Sequence, residues 1–381
     1  MSLPKTKCII LPIMILLLVS LLAGCGSTGS TTNNTASPSG STSTPLNTGS
    51  TVSNQQDALT GAGATFPQPL YTKWFDVYNK TYGIKINYQG IGSGAGIQQI
   101  TLGSVDFGAS DALLSSDQEN AAVAAFGPIL QIPMTSGAVA IIYNLPGISS
   151  GQLKLTGEVL ANIYLKKILK WNDPTITVLN PGVNLPNLAI TVVHRSDGSG
   201  TTFIFTNYLS KISNEWYTKV GNATAVAWIG DIGGPLSAGV AGQVQQSAGA
   251  IGYVELAYAI QNNLPLIAMQ NSSGNYILPS VDSTNKASEG IALPDDMKIM
   301  ITNSPNPDAY PIAGFTWILA YVNQSNQAKG LILAKALWWA IHDGQQYCAP
   351  LYYGSLSPDA VLKAENEILS MNYQGKPLIT R

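Results

Sequence analysis

The segment Arg195-Ser196-Asp197-Gly198-Ser199-Gly200-Thr201-Thr202 gathers a guanidinium, a carboxylate, several hydroxyls and two glycines into one short stretch. Such a set suits the capture of an anion. Upstream, the apolar run at 188–193 predicts a buried strand; downstream, Phe205, Tyr208, Leu209 and Ile212 share one helical face. The segment is therefore a strand-to-helix turn. Its amides at 199–201 are unpaired donors at a helix start, where partial positive charge favours an anion. The glycines allow close backbone approach, and Arg195 adds one full charge.

Two more turns share this make-up. Gly61-Ala62-Gly63-Ala64-Thr65-Phe66-Pro67 opens a helix carrying Leu70, Trp74, Val77 and Tyr78, with Pro67 suited to the first helical turn. Residues 86–90 read as a strand and lead through Ile91-Gly92-Ser93-Gly94-Ala95-Gly96 into a helix at Ile97. Any one of the three reads equally well as an ordinary tight turn. Together they point to a cage of neutral donors around one anion.

The elements that must position these turns alternate along the chain. Strands are predicted at 85–88, 105–109, 138–143, 188–193, 251–254 and 315–321. Helices are predicted at 67–80, 114–126, 156–168, 201–213, 238–247, 326–342 and 358–371. This alternation implies α/β sheets, which bind ligands at the carboxyl ends of their strands. Crossovers are expected at 132–135 and 303–308. They divide the body into one lobe of 57–133 plus 309–381 and a second of 134–308, with the ligand between them.

Composition and termini narrow the function. The chain has 381 residues, 45% hydrophobic but only 10% charged. Lys5 and Lys7 precede an apolar run from Cys8 to Leu22, followed by Ala23-Gly24-Cys25. This reads as a secretion signal over residues 1–24. Residues 25–56 are rich in Ser, Thr, Asn and Gly and read as a flexible linker. Of three cysteines, Cys348 alone lies in the body, so no disulfide is expected. The two histidines, His194 and His342, lack a metal-ligand spacing, and no metal or other cofactor is expected. Loss of Lys5 and Lys7 takes the net charge from −2 to −4. An acidic body argues against nucleic acid, and leaves a small anion to be held by local hydrogen bonds and dipoles.

Four motifs in order carry a family resemblance: Gly61 to Pro67, Tyr88-Gln89-Gly90-Ile91-Gly92-Ser93, Val105-Asp106-Phe107-Gly108-Ala109-Ser110-Asp111, and Arg195 to Thr201. They resemble the phosphate-binding protein of bacterial and archaeal phosphate ABC transporters. The segment Gly249-Ala250-Ile251-Gly252-Tyr253-Val254-Glu255 agrees, and the resemblance runs from about Leu59 to the C-terminus. It implies a type II periplasmic-binding-protein fold, with two α/β lobes joined by a two-crossover hinge. It implies phosphate ligation by the Ala64, Thr65 and Phe66 amides and the Thr65 hydroxyl, and by Ser93, Asp111, Arg195, Ser199, Gly200 and Thr201, with Asp197 sharing the charge of Arg195. The Ala-Gly-Cys sequence resembles a lipoprotein cleavage site, which implies a lipid on Cys25 and an extracytoplasmic, membrane-tethered monomer. The implied partners are inorganic phosphate and the membrane permease of the transporter. Leu113 and Lys166 depart from the family pattern at positions that are not ligands.

Asp111 carries the selectivity argument. A carboxylate can accept a hydrogen bond from protonated phosphate but only repels fully ionised sulfate. Read without the resemblance, Asp111 is better explained as a solvated turn residue or a helix cap after Ser110. Ser199, His194 and Asp197 are the residue types of a hydrolytic triad, so a secreted phosphate-ester hydrolase is an alternative. A triad, however, draws its members from separated segments, and no Gly-x-Ser-x-Gly elbow is present. A binding protein for sulfate or molybdate is the other alternative.

Overall fold

The computed structural model describes residues 58–381. The secretion signal, Cys25 and the linker predicted above lie outside the described residues. In chain order the strands are β1 (Leu59–Gly63), β2 (Ile86–Gly90), β3 (Phe107–Ser110), β4 (Ile129–Tyr143), β5 (Lys154–Leu155), β6 (Thr191–Arg195), β7 (Ile232–Gly234), β8 (Ala250–Glu255), β9 (Ala268–Gln270), β10 (Tyr276–Ile277), β11 (Ala313–Tyr321), β12 (Asn372–Tyr373) and β13 (Lys376–Pro377). Eight of them form one sheet in the order β2-β1-β3-β11-β4-β8-β6-β7; β10-β9-β5 and β12-β13 form two small ones.

Each end of the large sheet is a parallel α/β unit. β1 runs parallel to both β2 and β3. β6 runs parallel to β7 and β8. Between them β4 and β11 run antiparallel as a central ribbon. β4 pairs with β11 from Ile129 to Ala138 and then with β8 from Val139 to Tyr143. It is buried along nearly its whole length, as expected of a strand covered on both faces. Opposite Thr316 and Trp317 its register jumps from Thr135 to Pro133, so Met134 is the extra residue of a bulge. A bulge tolerates a proline that has no ladder donor.

Local chemistry explains why the site-bearing helices start where they do. The helix Gly200–Ile212 begins after Ser199, whose Oγ accepts the Thr202 N–H. The helix Gln68–Tyr82 follows Pro67 and buries Leu70, Tyr71, Trp74 and Tyr78 against the sheet. A left-handed Gly83 ends it, where a side chain would be strained. The helix Ser93–Thr101 begins immediately after β2 and Gly92.

All six predicted strands fall on observed ones, with three differences. The Gly61–Gly63 part of the first turn is strand β1. Glycine is needed there because a Cβ on Gly61 would lie 2.1 Å from the Phe107 ring. β4 begins nine residues before the predicted strand, since its buried first half has no alternating pattern. The 303–308 segment does not cross between the two ends. Asn271 and Ser272 donate to its Pro307 and Ser304 carbonyls, and the chain returns through β11.

Candidate functional site

The three Gly-rich turns meet at the carboxyl ends of β1, β2 and β6. Ser93 Oγ accepts the Gly200 amide at 3.0 Å and the Asp111 amide at 3.3 Å, so one hydroxyl joins the second and third turns to the end of β3. The Gly94 N–H donates to Gly198 O at 2.9 Å. An alanine at Gly94 or Gly198 would put its Cβ 3.1–3.2 Å from the other's Cα. Neither has the left-handed φ that favours glycine, so it is close approach that excludes a side chain at this crossing.

Arg195 is buried at the end of β6. Its Nε donates to Asp197 Oδ1 at 2.8 Å, and its Nη2 donates to Asp197 Oδ2. Burial works to raise the Asp197 pKa, but the hydrogen bonds and charge of Arg195 and the Leu236 N–H carry it below the usual carboxylate range. Nη1 is left to face the cleft, where it donates to Ser237 Oγ at 3.2 Å. The same Ser237 oxygen lies 2.8 Å from Thr65 Oγ1, joining the first and third turns.

Asp111 is buried beyond the end of β3. Its Oδ1 accepts from Thr316 Oγ1 of β11 at 2.8 Å. Burial pushes its pKa up to about 7, against the opposing pull of Thr316, the Arg195 charge and Ser93. Gly200 packs on it so closely that a Cβ there would lie 2.5 Å from Asp111 Oδ2.

Donors remain open around this cluster. The amides of Thr65 and Phe66 have no partner among the described residues, and neither does the Thr201 amide in the first helical turn. The Thr201 hydroxyl is fully buried and unpartnered among the same residues. Orphaned buried donors are costly, so these groups are candidates to receive a ligand. Three expected donors are already engaged. The Ala64 N–H continues the sheet onto Ala109 O at 2.9 Å, which corrects the expectation that it faces the anion. The Ser199 amide bonds Thr224 O, and the Gly200 amide bonds Ser93 Oγ, leaving Thr201 open of the three at 199–201.

The triad residues do not meet. Ser199 Oγ caps its helix, Asp197 grips Arg195, and the His194 ring stacks on Trp228 with centroids 4.8 Å apart. Among the described residues no cluster of His, Cys, Asp or Glu could hold a metal ion. Ser237 and Thr316 are site residues that sequence reading missed. Ser237 follows Leu236, a non-glycine residue with φ +59° whose N–H donates to Asp197 Oδ1. Nothing in Pro235-Leu236-Ser237 marks such a turn; Thr316 lies within a buried strand, where only the fold reveals its neighbour.

An open α/β sheet in two halves, crossed twice by its own strands and with an anion cage between them, defines a class of two-lobed solute-binding proteins. Residues 39–334 match the PBP superfamily domain, and the chain belongs to that superfamily and, within it, to the family of phosphate-binding proteins PstS. It is 41% identical over 346 residues to the phosphate-binding protein PstS of Xylella fastidiosa (strain 9a5c), covering 90% of this chain and 93% of the relative. It is 43% identical over 311 residues to that of Haemophilus influenzae, covering 81% and 91%. The phosphate binding protein of Stenotrophomonas maltophilia superposes with a TM-score of 0.63 at 19% identity, covering 81% of this chain and 93% of that one. The type II periplasmic-binding-protein fold expected from the resemblance is the fold observed.

Proposed function

We propose that this protein captures inorganic phosphate outside the cytoplasm and delivers it to the membrane permease of an ABC importer. The observation that carries the reading is the buried, unpartnered Thr201 hydroxyl, on the turn that Ser93 ties to Asp111, together with the open amides of Thr65, Phe66 and Thr201. Phosphate is ligated by those groups together with Asp111 and the hydroxyls of Thr65, Ser93 and Ser199, while the Gly200 amide stays with Ser93 Oγ. Ser93, Ser199 and Gly200 also hold the turns together. Asp197 orients Arg195. The lobes divide within the β4–β11 ribbon, and the cleft between them closes on the ligand.

Asp111 sets the choice of anion. Ionised, it accepts a phosphate O–H and repels sulfate; protonated, it donates to either. Native mass spectrometry of the purified protein should find one phosphate, and calorimetry at pH 8 should find phosphate binding without sulfate binding. Equal affinity for the two anions would sink the reading in favour of a general oxyanion carrier. The protein is not an enzyme, and it releases no phosphate from esters; turnover of a phosphate monoester by the purified protein would contradict this.

Cleavage before Cys25 and lipid on its thiol tether the protein to the membrane. No helix among the described residues is long and apolar enough to cross a membrane. Intact-mass analysis of membrane-extracted protein should give residues 25–381 plus acyl chains, and a mass retaining residues 1–24 would refute the tether.

A further inference from the structure

Each carbonyl of the Ala64-Thr65-Phe66 turn is held by a tyrosine hydroxyl from a different part of the chain. Tyr88 OH donates to Ala64 O at 2.6 Å, Tyr258 OH to Thr65 O at 2.8 Å and Tyr353 OH to Phe66 O at 2.7 Å. A carbonyl can only accept, so each phenol must donate. Burial raises the pKa of all three phenols and keeps them protonated.

In a trans peptide, the C=O of one residue and the N–H of the next point in opposite directions. Fixing Ala64 O therefore fixes where the Thr65 N–H points, and fixing Thr65 O fixes the Phe66 N–H; Thr65 O also accepts the Gln68 N–H of its own turn at 3.2 Å, and Tyr258 is the second and shorter hold. These are the two amides of the turn left without a partner among the described residues. Residue 67 is proline, so the Tyr353 bond aims no amide; it anchors the turn as it enters the helix Gln68–Tyr82.

The two aiming tyrosines stand on different parts of the sheet. Tyr88 lies on β2, beside β1, and moves with the turn. Tyr258 lies on the helix Leu256–Gln261, which starts where β8 ends, in the half built with β6 and β7. We propose that Tyr88 and Tyr258 are positioning residues that aim the Thr65 and Phe66 amides at the anion, and that Tyr258, reaching across the cleft to share Thr65 O with the Gln68 N–H, locks the aim of the Phe66 amide only when the cleft is closed. Closure thus adds the second hold on Thr65 O, and opening leaves the Gln68 N–H to keep it alone. This inference rests on the phosphate reading above.

The test is a titration of the ¹⁵N-labelled purified protein and its Tyr258→Phe and Tyr88→Phe variants with inorganic phosphate. The amide resonances of Thr65 and Phe66 are followed, with calorimetry, stopped-flow release and a thermal melt on the same samples. Each variant should stay folded and bind phosphate about tenfold more weakly, the scale of one lost hydrogen bond. In Tyr258→Phe the phosphate response of the Phe66 amide should shrink while that of Thr65 persists, and the loss should come from faster release. In Tyr88→Phe the Thr65 response should shrink instead. Loss of a merely structural bond would lower the melting temperature and leave the two amides no such division. Wild-type affinity in both variants, or weakened binding with both responses intact, overturns the inference. Wild-type binding that shifts neither amide also overturns it and leaves the phosphate reading standing. A wild type that binds no phosphate removes the phosphate reading, and the inference with it.

Discussion

On the wall carried by β6 and β7, the Arg195 cation proposed to meet the anion is already neutralised: Asp197 takes two of its three guanidinium nitrogens, and Ser237 takes the third. On the wall carried by β1 and β3, the Thr65 and Phe66 amides are open and the acid Asp111 titrates near neutrality. On the phosphate reading, the first wall is assembled in advance and supplies grip, and the second responds to what enters and supplies choice. A site whose charge is balanced internally binds through short-range dipoles, so its affinity should vary little with salt.

The comparison breaks most visibly at Arg195. Arg195→Ala strands a partly buried Asp197, and removing one partner of a buried ion pair costs about 3–5 kcal/mol. The melting temperature should fall, and phosphate binding should drop by two orders of magnitude or more, on the order of 3 kcal/mol. A folded Arg195→Ala protein with near-native affinity would mean that the first wall supplies no grip.

Thr201→Val tests the open donors with effects of opposite sign. The hydroxyl is buried without a partner among the described residues, so replacing it with a methyl group should raise the melting temperature of the phosphate-free protein. Phosphate affinity should fall by about 1.5–3 kcal/mol, the worth of a hydrogen bond to a charged group. A loss of both stability and affinity would show that the hydroxyl has a protein partner instead.

Asp111→Asn sharpens the responsive wall. The folded pKa of Asp111 is raised from 3.8 to about 7. Its stabilising contribution is therefore complete below the unfolded value, declines as pH rises through that interval and stays low above it. Melting curves across this range should have a shallower pH dependence in the Asn variant. Sulfate should be refused by the wild type above pH 7, bind increasingly as pH falls below it, and bind the Asn variant with little pH dependence. A pH-independent refusal of sulfate by both proteins would remove Asp111 from the selectivity mechanism.

Ser237→Ala should have the smallest effect. It removes the oxygen shared by Thr65 and Arg195 but leaves both able to turn to the ligand, so calorimetry should find about 1 kcal/mol of lost affinity. An effect as large as that of Arg195→Ala would make Ser237 a principal ligand.

The first wall was the more legible in sequence. Arg195, Asp197, Ser199 and Thr201 sit in one turn between a strand and a helix whose periodicities are plain. The second wall depends on distant pieces. Asp111 finds Thr316 across β3 and β11, and the Thr65 turn finds Tyr88 of the second motif but also Tyr258 and Tyr353, which belong to no such pattern. β1 was hidden because its glycines lower strand propensity while allowing Phe107 to lie against the backbone. The engagement of the Ala64 amide follows from β1 extending its pairing toward β3, which only the register reveals.

The Gly94–Gly198 crossing has a mechanical consequence. Where the two turns touch, main chain lies on main chain with no side chain between them, so the jaws shut until their backbones bear on each other. With the closure proposed above, that contact acts as a stop that limits how far the jaws can shut. A single methyl group at either glycine would lie 3.1–3.2 Å from the facing Cα, a doorstop to which the opposite turn would have to give by a few tenths of an ångström.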